Sequence, residues 1–152
     1  MNSYSRMAVI LITIIFSLIS LIHLYWALGG ELWYDEVLPT NSMGTKTLNP
    51  TSAEALIVSI GLVVMALVVL GTQGLFDKYV DSKYFRYGVL LISLIFLLRA
   101  IGDFKFVGFF KTVRETQFGI NDTLFFSPLC LFIGLVTFFI FVSGRGGRRS
   151  EV

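Results

Sequence analysis

The chain has 152 residues, of which 55% are apolar and 14% charged, against roughly 45–50% and about 25% in an ordinary soluble domain. With a mean hydropathy of +0.80 and 15 Phe, a water-soluble fold of this length would have to enclose more apolar surface than it can bury, so the composition points to lipid and excludes a disordered chain. The net charge of +2 gives no support to nucleic-acid binding, and a single Cys and a single His exclude an internal disulfide and a Cys/His zinc site.

A membrane-crossing helix needs about 20 mostly apolar residues, because each residue rises about 1.5 Å through a hydrocarbon layer about 30 Å thick. Four stretches qualify: about 7–28, 53–75, 84–102 and 124–142. The sequence therefore predicts an all-α integral membrane protein, a single domain over residues 1–152 built as a four-transmembrane-helix bundle. The first stretch is too long for the apolar core of a secretory signal, and it ends in His23, Tyr25 and Trp26 rather than in a cleavage site. Tyr25 and Trp26 there read as an interfacial belt.

Orientation follows from the basic residues beside the helix ends, which are retained on the cytoplasmic side. Arg6, Lys78, Lys83, Arg86, Arg145, Arg148 and Arg149 lie at one end, and Lys46, Lys105, Lys111 and Arg114 at the other. This expectation puts both termini of a multi-pass cell-membrane protein in the cytoplasm, with the Gly-rich tail as a frayed basic end near anionic headgroups. The two long loops, Gly29 to Ser52 and Asp103 to Thr123, then face outward, and long loops are where function usually sits. In the second of them Phe106, Phe109, Phe110 and Val113 share one helical face and Lys111 and Glu115 the other, a pattern that predicts an amphipathic helix lying in the interface, the alternative being an irregular loop with scattered aromatics.

Polar residues inside spans are expensive and default to a functional hypothesis. His23 lies roughly 7–8 Å inside the first helix, on a side shared with Thr13, Ser17, Ser20 and Ala27; it reads as a proton donor or acceptor, a ligand contact, or a simple interhelical hydrogen-bonder. Arg99 lies near the end of the third helix, where it either snorkels to headgroups or pairs with Asp103 one turn on. Asp122 reads as the N-cap of the fourth helix. Thr51 and Glu54 form a capping box at the start of the second. Each has a structural explanation, yet the topology gathers His23, Glu54, Arg99 and Asp122 from four helices at one end of the bundle. In the first loop Glu31, Asp35 and Glu36 beside Trp33 and Tyr34 read as a solvated acidic lid, without the spacing of a calcium loop. No cofactor is indicated: haem ligation by His23 lacks a second His or a Cys-x-x-Cys-His signature.

Three motifs stand in order along the chain: His23-x-x-Trp26-x-x-Gly29-Gly30, Arg99-x-x-Gly102-Asp103, and Asp122-Thr123-x-x-x-Ser127-Pro128-Leu129, with Pro39 and Pro50 in the first loop. Through them the chain resembles, over nearly its whole length, a bacterial four-helix membrane family catalogued as a domain of unknown function, DUF3995. The resemblance implies the topology and this choice of residues, and brings no reaction with it. The residues themselves predict a polar pocket at the outer-leaflet end that takes an amphipathic, lipid-like and anionic small molecule through His23, Trp26, Glu54, Arg99, Asp103, Asp122 and Ser127. The alternatives are a membrane enzyme with His23 as acid or base beside Asp122 or Glu54, and a non-catalytic interaction or immunity-type subunit. Expected partners are the lipid bilayer and a protein partner or second copy, and no metal.

Overall fold

A computed structural model of the chain describes residues 3–41, 43 and 45–144; the basic tail from Arg145 onward lies outside them. Among the described residues the protein is all helical, with α1 at Ser3–Ala27, α2 at Ser52–Gly71, α3 at Ser82–Ile101, a short α4 at Gln117–Asn121 and α5 at Ser127–Ser143. A single 3-10 turn, Asp35–Val37, sits in the first loop, and a π turn, Asp122–Phe126, joins α4 to α5. Four helical units, with α4, the π turn and α5 counted as one, are long and apolar enough to cross a membrane. Only 22 to 33% of the residues in each span are buried inside the protein. The rest present Ile10, Leu18, Ile57, Leu91 and Leu135 outward, as a lipid-facing surface requires.

The helix ends follow from local chemistry. Thr51 Oγ1 accepts from Glu54 N–H while Glu54 Oε2 accepts from Thr51 N–H at 2.6 Å, a reciprocal cap as the sequence predicts. The second span stops at Gly71, earlier than residue 75, because Thr72 Oγ1 returns to Val69 O at 2.7 Å and Gly74 turns the chain at φ +86°. The fourth unit begins seven residues before 124, capped by Thr116, whose hydroxyl accepts from Gly119 N–H at 3.0 Å. Pro128 is therefore internal to a long helical unit rather than in its first turns. Having no N–H and a ring that collides with the carbonyl four residues back, it is accommodated by the wider π turn, in which Ser127 N–H bonds Asp122 O.

The helices pack as two antiparallel pairs. α1 lies chiefly against α2 and α3 chiefly against α5, with fewer contacts between the pairs. Without a hydrophobic force between helices in lipid, close approach relies on small residues and interhelical hydrogen bonds. Ser20 Oγ donates to Ser59 O at 2.9 Å and Ser59 Oγ to Ser20 O at 3.0 Å, tying α1 to α2 through buried hydroxyls. Ser93 Oγ donates to Gly134 O at 2.8 Å between α3 and α5. Thr13 and Ser17 instead return their hydroxyls to Val9 O and Thr13 O, and Ser17 is exposed, so the buried stripe of α1 is Val9, Ile12, Phe16 and Ser20. A Cβ on Gly134 would lie 2.8 Å from the Leu97 side chain and 3.1 Å from its backbone nitrogen. Gly134→Val is therefore expected to cost about 1–3 kcal/mol by overpacking, read as a lower thermal midpoint in detergent, whereas Leu135→Val on the lipid face shifts that midpoint little.

Candidate functional site

The end of the bundle that carries the long loops is organised by one carboxylate. Asp122 is fully buried and accepts four hydrogen bonds, all at 2.9 Å: Arg99 Nη2 to Oδ1, and Lys111 Nζ, Gly108 N–H and Ser127 Oγ to Oδ2. The expected N-cap role of Asp122 is thus replaced by a deeper one, since the helix starts at Gln117 and carries Asp122 into the interior.

Lys111 is the residue that sequence reasoning misplaced. Assigned to the solvent face of an amphipathic helix, its side chain is 1% exposed. Its three ammonium protons are met by Asp122, by Gly108 O at 3.1 Å and by Thr123 Oγ1 at 2.6 Å. The helix does not form: residues 102–116 are turns and bends. Gly102 at φ +93° and Gly108 at φ +89° bring their backbones together, and a Cβ on either would collide with backbone of the other's turn. The sequence signal for Lys111 was a lone cation among phenylalanines, and periodicity alone cannot tell a solvated cation from one with a distant partner.

Arg99 does not pair with Asp103. Gly102 turns the chain out of α3, and Asp103 Oδ1 instead accepts from the N–H groups of Lys105, Phe106 and Val107 at 2.8 to 2.9 Å. Partial burial raises the Asp103 carboxyl, but these three N–H donors outweigh it and hold the group below the usual carboxylate range.

A cavity of about 870 Å3 lies between the two helix pairs under the first loop. His23, Trp26, Glu54 and Arg99 line it together; Asp122, Asp103 and Ser127 do not. Its walls are otherwise apolar, with Phe96, Phe118, Phe125 and Phe126 among them. The loop over it is tied down by Trp26 Nε1 donating to Leu32 O at 2.8 Å, Tyr34 OH donating to Pro50 O at 2.6 Å and Asn121 Nδ2 donating to Glu36 O at 3.4 Å. His23 Nδ1 lies 2.9 Å from Ile19 O. A carbonyl only accepts, so Nδ1 carries a hydrogen and donates this bond. Among the described residues no carboxylate hydrogen-bonds the imidazole: the Asp122 oxygens are taken by other donors and Glu54 Oε2 by Thr51. Arg99 Nη1 is shielded from solvent and has no hydrogen-bond partner among the described residues. In the first loop Asp35 pairs with Lys46, and among the described residues no three His, Cys, Asp or Glu side chains are grouped as a metal site needs.

The model of the family described as "Protein of unknown function (DUF3995)" matches residues 16–137, and the chain belongs to that family. No curated protein and no solved structure matches it.

Removing the acid of the cluster leaves the buried Lys111 ammonium and the partly buried Arg99 guanidinium without their counter-ion, whereas removing one cation leaves an ion pair. Asp122→Leu is accordingly expected to destabilise by about 3–5 kcal/mol and Lys111→Met by less, in thermal melts of the detergent-solubilised protein. Equal effects would show that Lys111 and Arg99 are not both balanced by Asp122. The Asp103 cap has a pH signature. A carboxylate whose folded pKa lies below its unfolded one contributes fully above the unfolded value, about 3.9, and loses that contribution as pH falls through the folded value. The stability advantage of the native protein over Asp103→Asn is therefore present at neutral pH and shrinks below about pH 4.

Proposed function

We propose that this member of the DUF3995 family is a multi-pass membrane protein that binds an amphipathic, lipid-like molecule in the cavity between its helix pairs, with an anionic group of the ligand meeting Arg99. The observation that carries this reading is the guanidinium of Arg99, bound to Asp122 through Nη2 and 33% exposed, on a residue that lines a largely apolar cavity. A guanidinium carries five N–H donors, and a carboxylate or phosphate oxygen in the cavity supplies an acceptor beyond the one that Asp122 gives. A volume of about 870 Å3 falls in the range of about 300–1,000 Å3 typical of small-molecule sites. The distribution of Lys and Arg supports an orientation with both termini cytoplasmic and the cavity in the outer leaflet.

Binding is favoured over catalysis by the state of the acids. An acid–base role for His23 calls for a carboxylate that orients it; Asp122 has given its oxygens to Arg99, Lys111, Gly108 and Ser127, and Glu54 turns its Oε2 to Thr51.

Native mass spectrometry of the detergent-purified protein tests the reading. The expected result is a co-purified amphipath that is lost, or held at least tenfold more weakly, in Arg99→Lys, since an ammonium cannot serve Asp122 and a ligand oxygen with one planar fork. Unchanged retention with an unchanged melting temperature would overturn it. For orientation, Met43→Cys and Glu115→Cys in a Cys130→Ser background are expected to react with an impermeant thiol reagent in intact cells, and Lys78→Cys is not. The reverse pattern would place the cavity in the inner leaflet.

A further inference from the structure

The cavity lining carries charge of both signs in a fixed order along the bundle axis. An α-helix tilts its side chains toward its own N-terminus. α1 and α3 end at the loop side, so His23 and Arg99 slant down into the bundle: His23 reaches back to Ile19 O and Arg99 reaches the buried Asp122. α2 begins at the loop side, so Glu54 slants the other way, toward Thr51 and the rim. Glu36, in the loop above, lines the same cavity and is likewise exposed. Below these, Leu62 lies eight residues deeper than Glu54 on α2, about 12 Å at 1.5 Å per residue, in a zone shared with Phe96 and Ile133.

From mouth to floor the order is therefore carboxylate, guanidinium and imidazole, then hydrocarbon. Among the described residues neither Glu36 nor Glu54 has an ion-pair partner, since Lys46 is taken by Asp35. Trp26, Trp33 and Tyr34 line the cavity beside them, and aromatic faces attract ammonium groups. A purely anionic headgroup would satisfy Arg99 and be repelled at the mouth.

Building on the binding reading above, we infer that the ligand headgroup is an ammonium-phosphate zwitterion: its phosphate lies at Arg99, its terminal ammonium at Glu36 and Glu54, and its acyl chain enters the apolar floor. The order of chain, phosphate and ammonium in such a molecule is the order of complementary groups in the cavity. The ammonium partner is assigned to the two rim carboxylates and the aromatic rings together, which serve a primary or a quaternary ammonium alike.

Three lysophospholipids of one acyl length test this against the purified full chain in a phosphate-free detergent: lysophosphatidylethanolamine, lysophosphatidylcholine and lysophosphatidylglycerol, titrated by native mass spectrometry. The expected result is at least tenfold tighter binding of one or both zwitterionic probes than of lysophosphatidylglycerol. In Glu36→Gln/Glu54→Gln that preference is expected to fall to within about threefold, with glycerol-probe binding unchanged or tighter, because glutamine keeps the capping geometry and removes only charge. Equal binding of all three by the native protein would overturn the zwitterion assignment while leaving the binding reading intact. No binding of any probe would overturn both. A preference that survives the double substitution would overturn the role given to the two glutamates.

Discussion

A carboxylate buried at the edge of a bilayer has few ways to remain charged, and Asp122 uses four donors to do so. Two of them are cations from different parts of the chain, one is a backbone N–H in the loop after α3, and one is the hydroxyl of Ser127 at the start of α5. The ends of α3 and α5 and the intervening loop therefore meet at one point. The cost of burying Lys111 and part of Arg99 is offset only while Asp122 stays ionised between them. The cluster sets two basic side chains against one acid, and one of the two, Arg99, lines the cavity.

The geometry that places Asp122 there is covalent in origin. Pro128 denies the helix one N–H and one carbonyl position, and the π turn that absorbs this restriction spans Asp122 to Phe126. Two other constraints act on the partner side. Gly102 and Gly108 take left-handed backbone angles that allow their turns to touch, which folds the loop back until Gly108 N–H and Lys111 Nζ both reach the same carboxylate oxygen. A substitution at either glycine would thus act on the charge cluster without carrying any charge itself.

The four spans were legible because hydrocarbon thickness imposes a length and a composition that no other constraint mimics. The capping box at Thr51 and Glu54 was legible because both partners lie within one turn. His23, Glu54, Arg99 and Asp122 could be gathered at one end from depth alone; the fold lines one cavity with the first three and buries Asp122 outside its lining. What failed was inference across the loop. The spacing of Phe106, Phe109, Phe110 and Val113 is that of a helix, but two glycines and an aspartate that caps its own loop override it, and Lys111 is drawn inward by a carboxylate eleven residues away. The pairing of Arg99 with Asp103 failed for a related reason, since an i, i+4 rule holds only while the helix continues, and Gly102 ends it.

The position of the cavity follows from how the helices are held together. Hydroxyl bonds fasten α1 to α2 and α3 to α5, and among the described residues the ties between the pairs at the loop end are the Asn121 to Glu36 bond and the contact of α4 with the 3-10 turn. Space opens where ties are few. Helix direction then decides what that space contains: helices running toward the loops lower their cations and imidazole into it, and the helix running away lifts its carboxylate to the rim. A charge order of this kind needs no special sequence motif. It arises whenever basic residues sit near the C-terminal ends of ascending helices and acidic ones near the N-termini of descending helices, which is also where the helix dipole favours them. Arg99 in the last turn of α3 and Glu54 in the first turn of α2 are each stabilised locally at their helix ends, and the same placement produces the layered polarity of the cavity.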